Sequence, residues 1–193
     1  MVEDLFQIPV YYNDIIDNKF ITYVEQLFDE RKSDLVNNWM PDNDTAATTY
    51  QSTPNVISGH SIIQDMIVSK VQTYLEEIGY TAPDCNVVDS WFNTYKQNDV
   101  VGYHNHGYRQ YVSGIYYIEG TGESDNGQLC FESPSPFDTN IPHNSMLIKY
   151  QHRVYYNPIR HRMILFPSWL RHKVTPNYSG QPRSVLSFNV EVR

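Results

Sequence analysis

The hydrophobic period of this chain changes once, at Pro83, and that change limits the folds open to it. Before Pro83 the apolar residues recur at helical spacing. Phe20, Ile21, Val24, Leu27 and Phe28 form one run; Ile62, Ile63, Met66, Ile67, Val71, Tyr74, Leu75 and Ile78 form another. Asp17 or Asn13 can cap the first run. Ser61 can cap the second and Gly79 can stop it, which predicts a helix over 61–78. After Pro83 the period is two: Val87, Asp89, Trp91, Asn93 and Tyr95 alternate with Val88, Ser90, Phe92 and Thr94. Further strand-like runs lie at 110–118, 127–132, 145–150, 162–166 and 183–192, punctuated by turn residues such as Asn126-Gly127 and Pro167. The polar stretch from Lys32 to Ser61, broken by Pro41 and Pro54, reads as a long surface loop. Two helices followed by many short strands predict an α+β, mainly β chain on a sandwich or barrel, not a parallel α/β sheet.

A chain of 193 residues without an internal repeat is read as one domain. Within it, 1–82 is the N-terminal helical part and 83–193 the β core. Its net charge of −8 argues against a general binder of duplex nucleic acid or of membrane surfaces, which usually need a basic face. No run approaches the roughly 20 apolar residues of a membrane span. The start, Met1-Val2-Glu3-Asp4, lacks the basic and apolar pattern of a signal peptide. Cys85 and Cys130 are too few and too far apart for a disulfide framework. A cytoplasmic protein is the expectation.

Seven histidines are present, and three of them can be grouped by chemistry. His104 and His106 form an H-x-H pair in GYHNHG. On an extended segment, residues i and i+2 point to the same side, so both imidazoles can reach one Fe(II), Zn(II) or Mn(II) ion. His172, in ILFPSWLRHKV, follows a buried-looking strand and a Pro-Ser turn. It can bring a third ligand from a distant strand, which is how a three-ligand site with free coordination positions is assembled. Arg183 opens the apolar run RSVLSFNV, and a buried guanidinium needs an anionic partner. That partner is either an internal carboxylate such as Asp89 or Glu132, or a carboxylate cosubstrate that fits the planar fork. His143, His152 and His161 are spaced by nine in a basic, proline-bearing segment, read as a hairpin or flap beside the barrel mouth. Arg153, Arg160, Arg162 and Arg171 make this region able to touch an acidic substrate, and Arg109 can face the mouth.

In order, the chain carries NTYKQNDVVGYHNH, SGIYYI, GQLCF, ILFPSWLRH and RSVLSFN. This stretch, Trp91 to Val192, resembles the Fe(II)/2-oxoglutarate-dependent dioxygenases. It is nearest to their prolyl-hydroxylase-like branch and to small phage and bacterial oxygenases. The resemblance implies a double-stranded β-helix, a jelly-roll, cupin-like barrel, with N-terminal helices packed on it. It assigns His104 as the first metal ligand, His172 as the distal one, and Arg183 as the clamp for the far carboxylate of 2-oxoglutarate. Tyr117 and Tyr95 fall where pocket tyrosines line that site. Ser187 and Asn189 stand outside the candidate set. One departure matters: the family's H-x-D has His106 at the carboxylate position, so the ligand set becomes His104, His106 and His172.

By this resemblance the chain uses Fe(II), 2-oxoglutarate and O2, releases succinate and CO2, and hydroxylates a peptidyl proline, amino acid or small metabolite. A homodimer is compatible with it. Two other readings stay open on the residues: a three-histidine dioxygenase without 2-oxoglutarate, and a catalytically silent barrel that binds a small molecule or peptide.

Overall fold

Asp17 opens the first helix, its carboxylate accepting the backbone N–H groups of Lys19 and Phe20 at 2.8 and 3.0 Å. The computed structural model describes residues 7–37, 45–81, 83–107, 112–134 and 152–193. Helix α1 spans Asn18–Arg31 and α2 spans Ser61–Glu77. The N-cap of α2 is His60 rather than Ser61, and it makes no side-chain capping bond. Gly79, at φ +99°, supplies the expected stop, with Tyr80 N–H returning to Leu75 O.

Among the described residues, eleven strands form two antiparallel sheets. In chain order they are β1 (Tyr11–Asp14), β2 (Val36–Asn37), β3 (Ala47–Thr48), β4 (Cys85–Tyr95), β5 (Val101–His104) and β6 (Val112–Glu119). They continue with β7 (Leu129–Glu132), β8 (Arg153–Tyr156), β9 (Arg162–Pro167), β10 (His172–Val174) and β11 (Arg183–Val192). The large sheet runs β1-β9-β6-β11-β4-β3-β2 and the small one β5-β10-β7-β8. This is the jelly-roll arrangement that the sequence predicts. The segment read as a long loop carries β2 and β3, which extend the large sheet beyond β4. The run at 145–150, His143 and Arg109 lie outside the described residues.

Period-two alternation sorts the large sheet into two buried faces. Tyr116, Ile118, Met163, Leu165, Leu186 and Phe188 pack beneath α1 and α2 with Phe20, Val24, Ile63 and Ile67. Ile115, Tyr117, Ile164, Phe166 and Val185 face the small sheet, where Leu129, Phe131 and Val174 meet them. Each such side chain taken fully out of water contributes about 1.5–3 kcal/mol, so both layers of the molecule are held by apolar burial. The helices cover one face and leave the other free to build a cavity between the sheets.

Strand β4 breaks its own alternation once. Val190 pairs with Val87 and the next residue back, Asn189, pairs with Asp89, so Val88 is an extra residue in the ladder. This bulge moves Val87 to the helix side, whereas the sequence reading puts it on one face with Asp89, Trp91, Asn93 and Tyr95, which keep that face and line the cavity.

Of the segment from Pro142 to Arg162 read as a hairpin or flap, residues 142–151 lie outside the described residues. Strands β8 and β9 belong to different sheets and do not pair with each other. His152 lies 3.7 Å from Glu132, and His161 lies 3.4 Å from Glu25. The arginines of that region meet acids of the chain itself: Arg160 with Glu25, Arg162 with Asp14, and Arg153 and Arg171 with Glu132. Three acids of the chain thus offset most of the charge of these four arginines.

Candidate active site

Three imidazoles converge between the sheets. His104 ends β5 and His172 begins β10, directly opposite in the ladder; His106 follows in the loop after β5, its N–H donating to Ser168 O at 2.9 Å. Ser168 belongs to the Pro-Ser turn, closed by Leu170 N–H to Pro167 O, so the turn that presents His172 also fixes His106. One ligand nitrogen from each of His104, His106 and His172 lies within 4.8 Å of the others, and they form the one such group of metal-ligating side chains found among the described residues.

The tautomers follow from hydrogen bonding. His104 Nδ1 lies 2.9 Å from Gly102 O, and His172 Nδ1 lies 2.8 Å from Leu170 O. A carbonyl only accepts, so both Nδ1 atoms carry the proton and both Nε2 lone pairs are left for an ion. Burial and the neighbouring His104 depress the pKa of His106 to about 4. Burial, with His104 and His106 beside it, pushes His172 well below its usual value. His106 and His172 therefore offer neutral nitrogen at neutral pH, the form that binds divalent metal. Phe166 packs edge-on against His172 and Trp91 packs against His106, with ring centroids 4.8 and 5.7 Å apart, so the rings are held from the sides.

Arg183 lies in the same cavity, 1 % exposed at the start of β11. Neither of the two carboxylates that the sequence offers it is its partner: Glu132 is engaged by Arg171 and Arg153 on the outer side of the small sheet, and Asp89 sits opposite Asn189. Instead the guanidinium carbon lies 4.4 Å from the ring centre of Tyr95 and 5.1 Å from that of Tyr117. Burial works against the charge of Arg183, and the two tyrosines together outweigh it, so its pKa is raised. Arg183 Nε and Nη1 and the Tyr117 hydroxyl are buried without a hydrogen-bond partner among the described residues. Orphaned donors of this kind cost about 1–3 kcal/mol each, and a carboxylate in the cavity facing the Nη1 edge of the guanidinium would accept from it.

The cavity holds about 490 Å³. That is room for a five-carbon diacid and a second small molecule. The structure thus brings together all six candidate residues, His104, His106, His172, Arg183, Tyr117 and Tyr95. It adds two that sequence reasoning missed. Asn126 and Asn177 are fully buried; Asn177 Nδ2 donates to Tyr95 O at 3.0 Å and to Gln181 O at 2.7 Å, and Asn126 Nδ2 donates to Gln181 O at 3.0 Å. They fix the loop that delivers Arg183 to β11. In sequence both read as ordinary turn residues. Asn126 stands before Gly127, whose φ of +82° takes the chain past the Arg183 stem, and that tight passage is the signal a closer reading could have used.

A protein-family model described as "Putative 2OG-Fe(II) oxygenase" matches residues 89–189. No curated protein sequence matches the chain. Among solved structures it is similar to a Pseudomonas putida prolyl-4-hydroxylase, with 13% identity over 96% of this chain and 94% of that one and a TM-score of 0.63. It is also similar to HygX of Streptomyces hygroscopicus, solved with nickel, 2-oxoglutarate and hygromycin B, with 10% identity over 96% and 83% of the two chains and a TM-score of 0.66. A third is the viral collagen prolyl hydroxylase of Paramecium Bursaria Chlorella virus-1, in a 2OG complex, with 13% identity over 94% of both chains and a TM-score of 0.59. At such identities the likeness concerns the fold.

Proposed function

The chain belongs to the 2OG-Fe(II) oxygenase family and is an Fe(II)- and 2-oxoglutarate-dependent enzyme, and from that premise we propose that it hydroxylates a small-molecule or peptide substrate with His104, His106 and His172 as its iron ligands. Arg183 clamps the far carboxylate of 2-oxoglutarate, with Tyr117 donating to it and Tyr95 stacked beside the guanidinium. Bound Fe(II) supplies the oxidative chemistry that turns 2-oxoglutarate and O2 into succinate, CO2 and an oxidised product.

The residues of the chain supply geometry and charge. The Nδ1–H bonds to Gly102 O and Leu170 O fix the tautomers of His104 and His172 and leave their Nε2 lone pairs for an ion. Leu129, Val174 and Phe166 line the cavity and keep it dry. Three neutral ligands leave the full +2 charge of the ion in place, and the dianionic cosubstrate offsets it. Residues 1–193 are read as one oxygenase domain, with 1–82 as the helical part and 83–193 as the jelly-roll core; β2 and β3 continuing the large sheet support that reading.

The observation that carries the proposal is Arg183, buried in the same cavity as the histidines with Nε and Nη1 unpartnered among the described residues. The neutral donor set is the observation behind a second reading, an iron dioxygenase without 2-oxoglutarate; such an enzyme would have no use for this arginine. Calorimetric titration of 2-oxoglutarate tests the point. Arg183→Ala is expected to lose about 2–5 kcal/mol of binding, roughly 30-fold or more in affinity. Arg183→Lys keeps the charge, loses the fork and falls between. An unchanged affinity in Arg183→Ala would assign the arginine to the fold alone.

A further inference from the structure

The cavity carries its two opposite charges at opposite ends. Among the described residues that line it, Arg183 is the one guanidinium and Asp89 the one carboxylate. Asp89 pairs with Asn189, six residues along β11 from Arg183, which separates them by about 20 Å at strand rise. The histidines lie between, because His106 packs against Trp91, two residues from Asp89 on the same strand.

Asp89 reaches the cavity by the regular alternation of β4 that also places Trp91, Asn93 and Tyr95 there, and the bulge at Val88 ends that row by turning Val87 to the helix side. Its surroundings hold it there without neutralising it. Asn189, 4 % exposed, directs Nδ2 toward Asp89 Oδ2 at 3.5 Å, a long contact. Asn189 is itself fixed, since Oδ1 accepts from Ser113 Oγ at 2.7 Å and Ser113 Oγ is hydrogen-bonded to Ser168 Oγ at 3.1 Å. No cation lies within ion-pair reach of Asp89 among the described residues. An aromatic wall stands beside it: Trp91, with Tyr50 edge-on at 5.1 Å and half exposed at the rim.

We propose that Asp89 and the Trp91–Tyr50 wall form the substrate-specificity subsite, and that the substrate of this oxygenase is a small molecule bearing a cationic nitrogen, an ammonium or guanidinium group. A carboxylate next to an aromatic face is the arrangement that recognises such a group, by ion pairing and by cation–π attraction. The net charge of −8 favours the approach of cations to the mouth. The proposal rests on the oxygenase reading: Arg183 orients the cosubstrate from one end, and Asp89 orients the substrate from the other, across the histidines.

The test is calorimetric binding to the protein loaded with Mn(II) and 2-oxoglutarate, which keeps turnover out of the measurement. The probes are n-butylguanidinium and n-pentylammonium, with n-butylurea and 1-pentanol as neutral counterparts of similar shape. The cations are expected to bind at least tenfold more tightly than their counterparts at low salt. Asp89→Asn, close to isosteric, is expected to remove that preference and Asp89→Glu to keep much of it; the 2-oxoglutarate titration of the same variants reports that the fold and the Arg183 end survive. Equal binding of charged and neutral probes, a preference that persists in Asp89→Asn, or no cation binding by a parent that still takes up 2-oxoglutarate would each overturn the inference while leaving the oxygenase reading intact. A parent that fails to bind 2-oxoglutarate would overturn both.

Discussion

A single side chain sets this site apart from the pattern it resembles. His106 occupies the position of a carboxylate, and its ring stays neutral down to about pH 4, so protons do not compete with a metal for its nitrogen at neutral pH. Titration of Fe(II) into anaerobic, metal-stripped protein checks its role. His106→Ala is expected to lose most of the iron affinity, because two protein ligands hold a labile ion. His106→Asp should retain iron, since a carboxylate also offsets its charge. Parent-like affinity in a folded His106→Ala protein would remove His106 from the ligand set. The histidines were legible in the sequence as an H-x-H pair and a third imidazole after a Pro-Ser turn, Arg183 as a charge opening an apolar run, and the two tyrosines through the resemblance. Asp89 was legible as a residue on the face of Trp91, Asn93 and Tyr95 but not as a site, because period two assigns a face and not what lies across it; only Val87 leaves that face, at the inserted Val88, whose pairing lies a hundred residues away on β11.

At the level of elements, length decided what could be read. The long strands β4, β6 and β11 and both helices carry enough period to be located, as does β9. Strands β5, β8 and β10 have four, four and three residues, too few for a period; β10 and β5 exist because they pair with each other and with β7. The two-residue strands β2 and β3 owe their form to the open edge of β4 in the same way. Close packing also constrains β6 through Gly114. A Cβ there would lie 2.5 Å from the Phe188 ring and 2.7 Å from Leu165 Cδ2, between the two strands that flank β6. Gly114→Ala should overpack this seam and cost about 1–3 kcal/mol, a fall in Tm of roughly 2–12 °C for a chain of this size. Thermal melting reads this directly, and an unchanged Tm would mean that the sheet has slack here.

For the whole molecule, the division of labour is between faces. The helices bury one face of the large sheet, and the small sheet closes the other only partly, so the inner rows of β4 and β11 present polar and charged groups that a packed core would exclude. Among the described residues no helix is long and apolar enough to cross a membrane. The sequence could not locate the cavity, since its volume depends on how two sheets from distant segments meet. The central claim is that this cavity, through His104, His106 and His172, makes iron-dependent use of 2-oxoglutarate. Succinate formed from 2-oxoglutarate in air, measured with and without added Fe(II) for the metal-stripped parent and for His172→Ala, tests it most directly. The parent is predicted to form succinate only with iron, and His172→Ala to form essentially none at the same iron concentration. Succinate production that is indifferent to iron, or that survives in His172→Ala, would contradict it.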